Sequence, residues 1–310
     1  MADVIDPRFL PFTVDDLMSH MPPQGASALD RPERWVNHFV TSAARYNQFQ
    51  AAYPERRGVP ISATRTGAQV EKDERFWTAT TFMHLMRSDD PGASLTAILV
   101  DTYGRNPPSR TQASSWNELL DGPLQMYLEV ALPSPREFQA ELASRIDQHP
   151  VEYVRLAARR SGSDEVKANL EGRTNVDAVV VNPDTGFGLL VEAKVLSDVS
   201  HDVSFDPIRN QIARNVDAML DANPALARPL ASRRPDRSFF LLTTPQLFLE
   251  HPTSRLYGWL MNDYRDNPGS LARDLVHRAS DLDGVVERIG WTSWERINEV
   301  LPGACPWLTS

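Results

Sequence analysis

Apolar residues in the middle of this chain gather into short dense runs, whereas the flanking regions show apolar stripes at helical spacing. Ala178–Val181 and Leu189–Val195 are valine-rich apolar runs, the pattern of strands covered on both faces. Between them lies Asn182-Pro183-Asp184-Thr185-Gly186, a cluster of turn formers that predicts a chain reversal. Ser238–Thr244, SFFLLTT, predicts a third buried strand. The segment Ser134-Pro135-Arg136-Glu137 has the form of a capping box and predicts a helix to about Gln148, with Phe138, Leu142 and Ile146 as its apolar stripe. Asp206-Pro207 predicts another helix start, followed by Ile208, Ile212, Val216 and Met219 or Leu220 on the buried side. Before residue 134 the pattern is weaker. It predicts helices from Pro32 onward (Trp35, Phe39, Ala43) and over Glu71–Met86, a strand over Ser94–Tyr103, and a capped segment over Ser114–Leu132. The expected organisation is an α-rich N-terminal extension over residues 1–133 and an α/β core over 134–310.

The hairpin carries charge where a buried strand should not. A turn centred between Asp184 and Thr185 sets Asp177 opposite Glu192, and Lys194, two residues on, shares their face. Opposed carboxylates repel unless a cation sits between them, so the hairpin is expected to hold a divalent metal. Lysine is rare here: only Lys72, Lys167 and Lys194 are lysines among 32 basic residues. One of the three falls on an otherwise apolar strand, where an unpaired ammonium is costly. The plain alternative is an edge strand with a solvated Glu192 and Lys194 and a turn residue at Asp177.

Asp177 with Glu192-Ala193-Lys194 resembles the PD-(D/E)xK nuclease superfamily, with Val176 in place of the usual proline. The resemblance spans about Arg136 to Trp294. It implies a restriction-endonuclease-like core, a mixed central sheet flanked by helices, and Mg²⁺-dependent phosphodiester hydrolysis of DNA by an endonuclease of restriction or defence type, with Mn²⁺ able to substitute. It also implies roles: Asp177 and Glu192 as metal ligands, Lys194 as catalytic amine, Glu141 or Glu171 completing the metal set, and Gln211 facing the metal. Gly290–Glu295 resembles the closing strand and short helix of several such families, although two core tryptophans and a capped helix would read the same way. The chemistry is consistent, because hard carboxylate oxygens suit Mg²⁺ and a coordinated water is a better nucleophile. A non-catalytic nucleic-acid or protein-binding protein that retains the fold is the alternative.

Composition narrows the field modestly. The net charge of −9 argues against broad non-specific nucleic-acid binding. Two arginine groups are nonetheless candidate phosphate contacts: Arg155, Arg159 and Arg160, and the loop holding Arg228, Arg233, Arg234 and Arg237. Solvated surface is the alternative for both. The single cysteine, Cys305, excludes an intramolecular disulfide and a multi-cysteine zinc site. No apolar run approaches 18 residues and the first residues lack a basic-then-apolar leader, so a cytoplasmic protein without membrane contacts is expected. No phosphate-binding glycine loop or GxSxG motif is present. Severing a duplex takes two cuts, which predicts a homodimer.

Overall fold

The computed structural model describes residues 12–23, 26, 32–33, 36, 73–153, 155–156, 171–200, 209–223, 225–280 and 282–308. Five strands form one mixed sheet in sequence order: β1 (Gln125–Leu132), β2 (Thr174–Asn182), β3 (Phe187–Ala193), β4 (Ser238–Thr244) and β5 (Ile289–Ser293). β1, β2 and β3 are antiparallel neighbours, whereas β3–β4 and β4–β5 are parallel. The β2–β3 reversal is built as read: Asn182 Oδ1 accepts from the Asp184 and Thr185 amides at 3.0 and 3.3 Å, and Gly186 takes φ +78°. Ala178 pairs with Val191, the last pair of the hairpin before Asp177 and Glu192.

Helices cover both faces. Against one pack α1 (Val14–Ser19), α2 (Glu74–Met86), α3 (Pro91–Tyr103) and α4 (Trp116–Leu120), joined from the far end by α10 (Trp294–Val300). Against the other pack α6 (Gln211–Met219), α7 (Gln246–Glu250), α8 (Leu256–Asp266) and α9 (Pro268–Asp274), with Val216, Phe240, Tyr257 and Leu271 in a common core. α5 (Arg136–Ser144) lies outside these layers, with Phe138 and Leu142 in a small cluster of their own. Among the described residues no helix is long and apolar enough to cross a membrane.

Several expectations change. Across the expected boundary at 133/134 β1 pairs with β2, and α2 and α3 pack in the core that covers one face of the sheet. Ser94–Tyr103 is helical: Asp90 caps Ala93 at 2.9 Å and Pro91 opens the first turn, signals that outweigh the segment's strand-like composition. Ser114–Leu132 breaks at Gly122-Pro123 into α4 and β1. The capping box at Ser134 does not form, because its hydroxyl donates to Glu171 instead. Asp206 and Pro207 lie outside the described residues, and α6 begins after an Asn210 cap. Most of the helix expected from Pro32 also lies outside them.

The last turn of α6 is anchored by arginines. Asp217, fully buried, pairs with Arg209, Arg278 and His277, and the Arg209 guanidinium stacks 3.7 Å from the Phe138 ring centre. Burial alone would raise the Asp217 pKa, but the His277 hydrogen bond and the two arginines hold it below the usual carboxylate range. In the same turn Arg233 donates to the Ala218 and Met219 carbonyls, and to that of Asp221 just beyond, satisfying acceptors that the helix leaves open. Removing Asp217 would leave two arginines buried without their shared partner. Asp217→Ala is expected to lower stability by about 3–5 kcal/mol in urea unfolding. Arg234→Ala, which removes an exposed pair with Asp236, should change it by less than about 1 kcal/mol; equal losses would show that the Asp217 network carries no special weight.

Candidate active site

β1 and β2 change faces at one shared point. Met126 and Leu128 of β1 point into the α2–α3 layer, whereas Val130 and Leu132 point into the α6–α8 layer. On β2, Ala178 and Val180 belong to the first layer and Val176 to the second. Strict alternation would keep each of these even-numbered sets on one side. The switch falls at Glu129 and Asp177, between the paired positions 128↔178 and 130↔176. Glu129 has φ +51°, a left-handed conformation that costs a non-glycine residue about 1–3 kcal/mol. Here the Asp177 carboxylate, not a β2 carbonyl, accepts the Ala193 amide at 2.7 Å.

β3 ends at the same corner. Glu192 is 2% exposed and Lys194 6% exposed, and their charged atoms lie 2.7 Å apart. The Lys194 amide donates to Thr243 of β4 at 2.9 Å, and its carbonyl accepts from the Trp294 indole at 3.1 Å, which fixes the backbone carrying the ammonium. Glu192 is held from α6: Gln211 Nε2 donates to Oε1 at 2.6 Å and Asn215 Nδ2 to Oε2 at 2.8 Å. Both amides are themselves oriented. Gln211 Oε1 accepts from the Ser200 amide, and Asn215 Oδ1 accepts from the Thr174 hydroxyl at 2.7 Å. From the other layer, Glu74 in the first turn of α2 places Oε2 3.8 Å from the Lys194 ammonium and accepts from the Val195 amide and the Ser197 hydroxyl.

The electrostatics favour protons on the acids and on the amine alike. Burial and the Glu192 charge push the Asp177 carboxyl well above its usual range, with Glu129 adding to the rise and Lys194 and the Ala193 amide opposing it. Burial likewise raises Glu192, against the pull of Lys194 and Asn215. Burial alone would lower Lys194, but Glu192, Asp177 and Glu74 together raise it, so it remains an ammonium. Arg75 pairs with Glu129 at 3.0 Å. Among the described residues, Glu74, Glu129, Asp177 and Glu192 thus face Lys194 and Arg75.

Sequence and structure agree on part of this set. Asp177, Glu192, Lys194 and Gln211 are brought together as expected. Glu141 is not: it pairs with Arg145 on the exposed side of α5. Glu171 is not either, because Arg209, Arg214 and Ser134 engage it in the buried network beside α6. The upstream acid is Glu74, which the sequence reading placed in a helix but not in the site; its signal was the Asp73 cap that sets it in the first turn of α2. Glu129 and Asn215 were also missed. Among the expected phosphate contacts, Arg233 is buried on α6 carbonyls, Arg234 pairs with Asp236, and Arg155 turns onto the His149 carbonyl. Arg159 and Arg160 lie outside the described residues.

The donors are hard carboxylate oxygens in excess over the cations beside them, which suits a divalent ion such as Mg²⁺. Among the described residues no three His, Cys, Asp or Glu side chains already converge closely enough to hold one, and the Lys194 ammonium bonds directly to Glu192. No family model, curated protein or solved structure matches this chain.

The raised Asp177 pKa gives a test with a defined sign. A folded-state pKa above the unfolded value means that the folded protein binds the extra proton, so stability falls as pH rises from about 4. Asp177→Asn keeps an acceptor for the Ala193 amide and removes this penalty. In EDTA the variant should be more stable than wild type by about 1 kcal/mol at pH 8, with a smaller gap at pH 5, in thermal melts. A variant less stable at pH 8 would contradict the electrostatic reading.

Proposed function

We propose that this protein is a divalent-metal-dependent nuclease acting on DNA, built on a restriction-endonuclease-like core. One observation carries the reading: Glu74, Asp177 and Glu192, from three separate elements, meet at a buried lysine where the sheet changes face. The antiparallel β1–β2–β3 order continued by parallel β4, with α2 before it and α6 between β3 and β4, is compatible with such a core.

In this reading Asp177, Glu192 and Glu74 supply the metal-binding oxygens. When bound there, Mg²⁺ or Mn²⁺ would lower the pKa of a coordinated water and offset charge on the scissile phosphate. The protein's own residues do the rest. Gln211 and Asn215 hold both Glu192 oxygens in place, so that the carboxylate is pre-oriented and loses little freedom on binding. Lys194, held as an ammonium, donates to the anionic phosphate and offsets the charge that builds up as water attacks. Its raised pKa argues for that role over service as a base. A dimer would bring one site to each strand of a duplex.

Cleavage of supercoiled plasmid and of single-stranded DNA with Mg²⁺ or Mn²⁺ tests the assignment. Wild type is expected to cut, and Asp177→Ala, Lys194→Ala and Glu74→Gln each to lose about 100-fold or more. Glu141→Gln should cut like wild type. Undiminished cutting by the first three variants would sink the site. A wild type that neither cuts nor binds Mn²⁺ in calorimetry would sink the function and favour a binding protein. Analytical ultracentrifugation with and without duplex DNA should show a dimer, and a strict monomer in both would remove that part.

A further inference from the structure

Tyr257 carries a buried hydroxyl that no described residue engages. The residue is 0% exposed, and its ring packs edge-on against Phe248 and Trp291, with centroids 6.2 and 5.9 Å away. A phenylalanine would make those contacts equally well. Its hydroxyl oxygen is buried and, among the described residues, has no hydrogen-bond partner. An orphaned buried hydroxyl is costly and rarely retained without cause. Other tyrosines of this protein behave differently: Tyr103 donates to the Phe240 carbonyl, Tyr127 to Gln125, and Tyr264 to Asp274 while accepting from Asn210.

The position of this hydroxyl suggests its use. Tyr257 belongs to the α6–α8 layer, on the side of the sheet where Leu190 of β3 points; Glu192 and Lys194 continue that alternation. Asp198, four residues beyond Lys194, accepts the Leu256 and Tyr257 amides at 2.8 and 3.2 Å and so ties the start of α8 to the segment leaving β3. That first turn cannot shift easily, since a Cβ at Gly258 would lie 2.1 Å from the Pro252 carbonyl oxygen. Burial keeps the phenol protonated, and the charges that act on it are those of Arg255, Asp198, Glu74 and Lys194. Across the sheet, the Glu74 side chain is 24% exposed where it meets the Lys194 ammonium.

We propose that Tyr257 is a further substrate-contacting residue of this site, its phenol donating a hydrogen bond to an anionic phosphate oxygen seated beside Lys194. The identity of the ligand as a phosphate rests on the nuclease reading; the unpartnered donor does not. A neutral phenol fits the task, because it adds a donor to a site already rich in charge without changing its charge balance. It would act with the Lys194 ammonium on one phosphate group, from the α8 side.

Tyr257→Phe removes the hydroxyl and keeps the ring. Two readouts are taken on the full-length protein: the melting temperature with and without inorganic phosphate in Mn²⁺, and plasmid cleavage. The expected result is a ligand-free melting temperature equal to or above wild type, loss of most of the phosphate-induced rise, and cleavage reduced on the order of 10- to 100-fold. A full phosphate response and wild-type cleavage in Tyr257→Phe would overturn the proposal. A lower ligand-free melting temperature would also overturn it, by showing that the hydroxyl bonds within the fold. The two readings separate cleanly. A wild type that responds to phosphate through Tyr257 yet cuts no DNA keeps the contact and loses the nuclease, whereas cutting that is indifferent to Tyr257→Phe does the reverse.

Discussion

Lys194 and Glu192 are both nearly closed off from water, and the 2.7 Å contact between them is the constraint on which the rest of this corner depends. Burying an ion pair costs desolvation of both charges, and the attraction between them repays it only where further hydrogen bonds satisfy the remaining atoms. This structure supplies two such hydrogen bonds, both to Glu192, and holds the pair from three further elements. Gln211 and Asn215 come from α6, Glu74 from α2, and the Lys194 backbone is held by Thr243 of β4 and Trp294 at the head of α10. Elements more than 200 residues apart in the chain are thus organised around one ammonium. Such a pair adds little net stability over an apolar alternative, which is why its retention points to function rather than to folding.

The same corner holds the local departure from regular sheet geometry. β1 and β2 each lose their alternation at one position, and the residues at those positions are both acids, Glu129 and Asp177. Without the switch, β1 and β2 would present one face along their whole length. With it, the Asp177 side chain replaces a carbonyl as acceptor for Ala193, and the strands part at the end where β3 stops. Strain and unfavourable burial of charge therefore occur together here, whereas the buried Asp217 is paired with two arginines.

What was legible in the sequence was local. The turn at Asn182–Gly186 fixes the hairpin register as far as Ala178 and Val191, one step short of Asp177 and Glu192, and the bond from the Ala193 amide to the Asp177 carboxylate joins the two strands there. β4 was legible too, as an unbroken apolar run covered on both faces. Glu74 and Tyr257 could not be read in this way, because they reach the site by packing of α2 and α8 on opposite faces of the sheet, and neither has a spacing that marks it. α3 was misread because Thr96, Ile98 and Val100 look strand-like, although Asp90-Pro91 is a strong helix start. Arg233 misled for a related reason: a cluster of arginines in a loop looks solvated, but the end of a buried helix needs donors, and a long side chain can supply three.

Charge also orders events under the proposed function. Among the described residues, four carboxylates stand against Lys194 and Arg75 at this corner, and the whole chain carries −9. A phosphodiester approaching that arrangement meets repulsion at short range and little attraction from afar. The arginines expected to draw in a polyanion are partly committed elsewhere, Arg233 to α6 and Arg234 to Asp236. Substrate binding therefore depends on prior neutralisation of the acids, by a divalent ion near neutral pH or by protons at low pH. Only the first leaves the carboxylates ionised and the site competent for hydrolysis. The raised carboxyl pKa values and the paired lysine are two expressions of that one unmet need for positive charge.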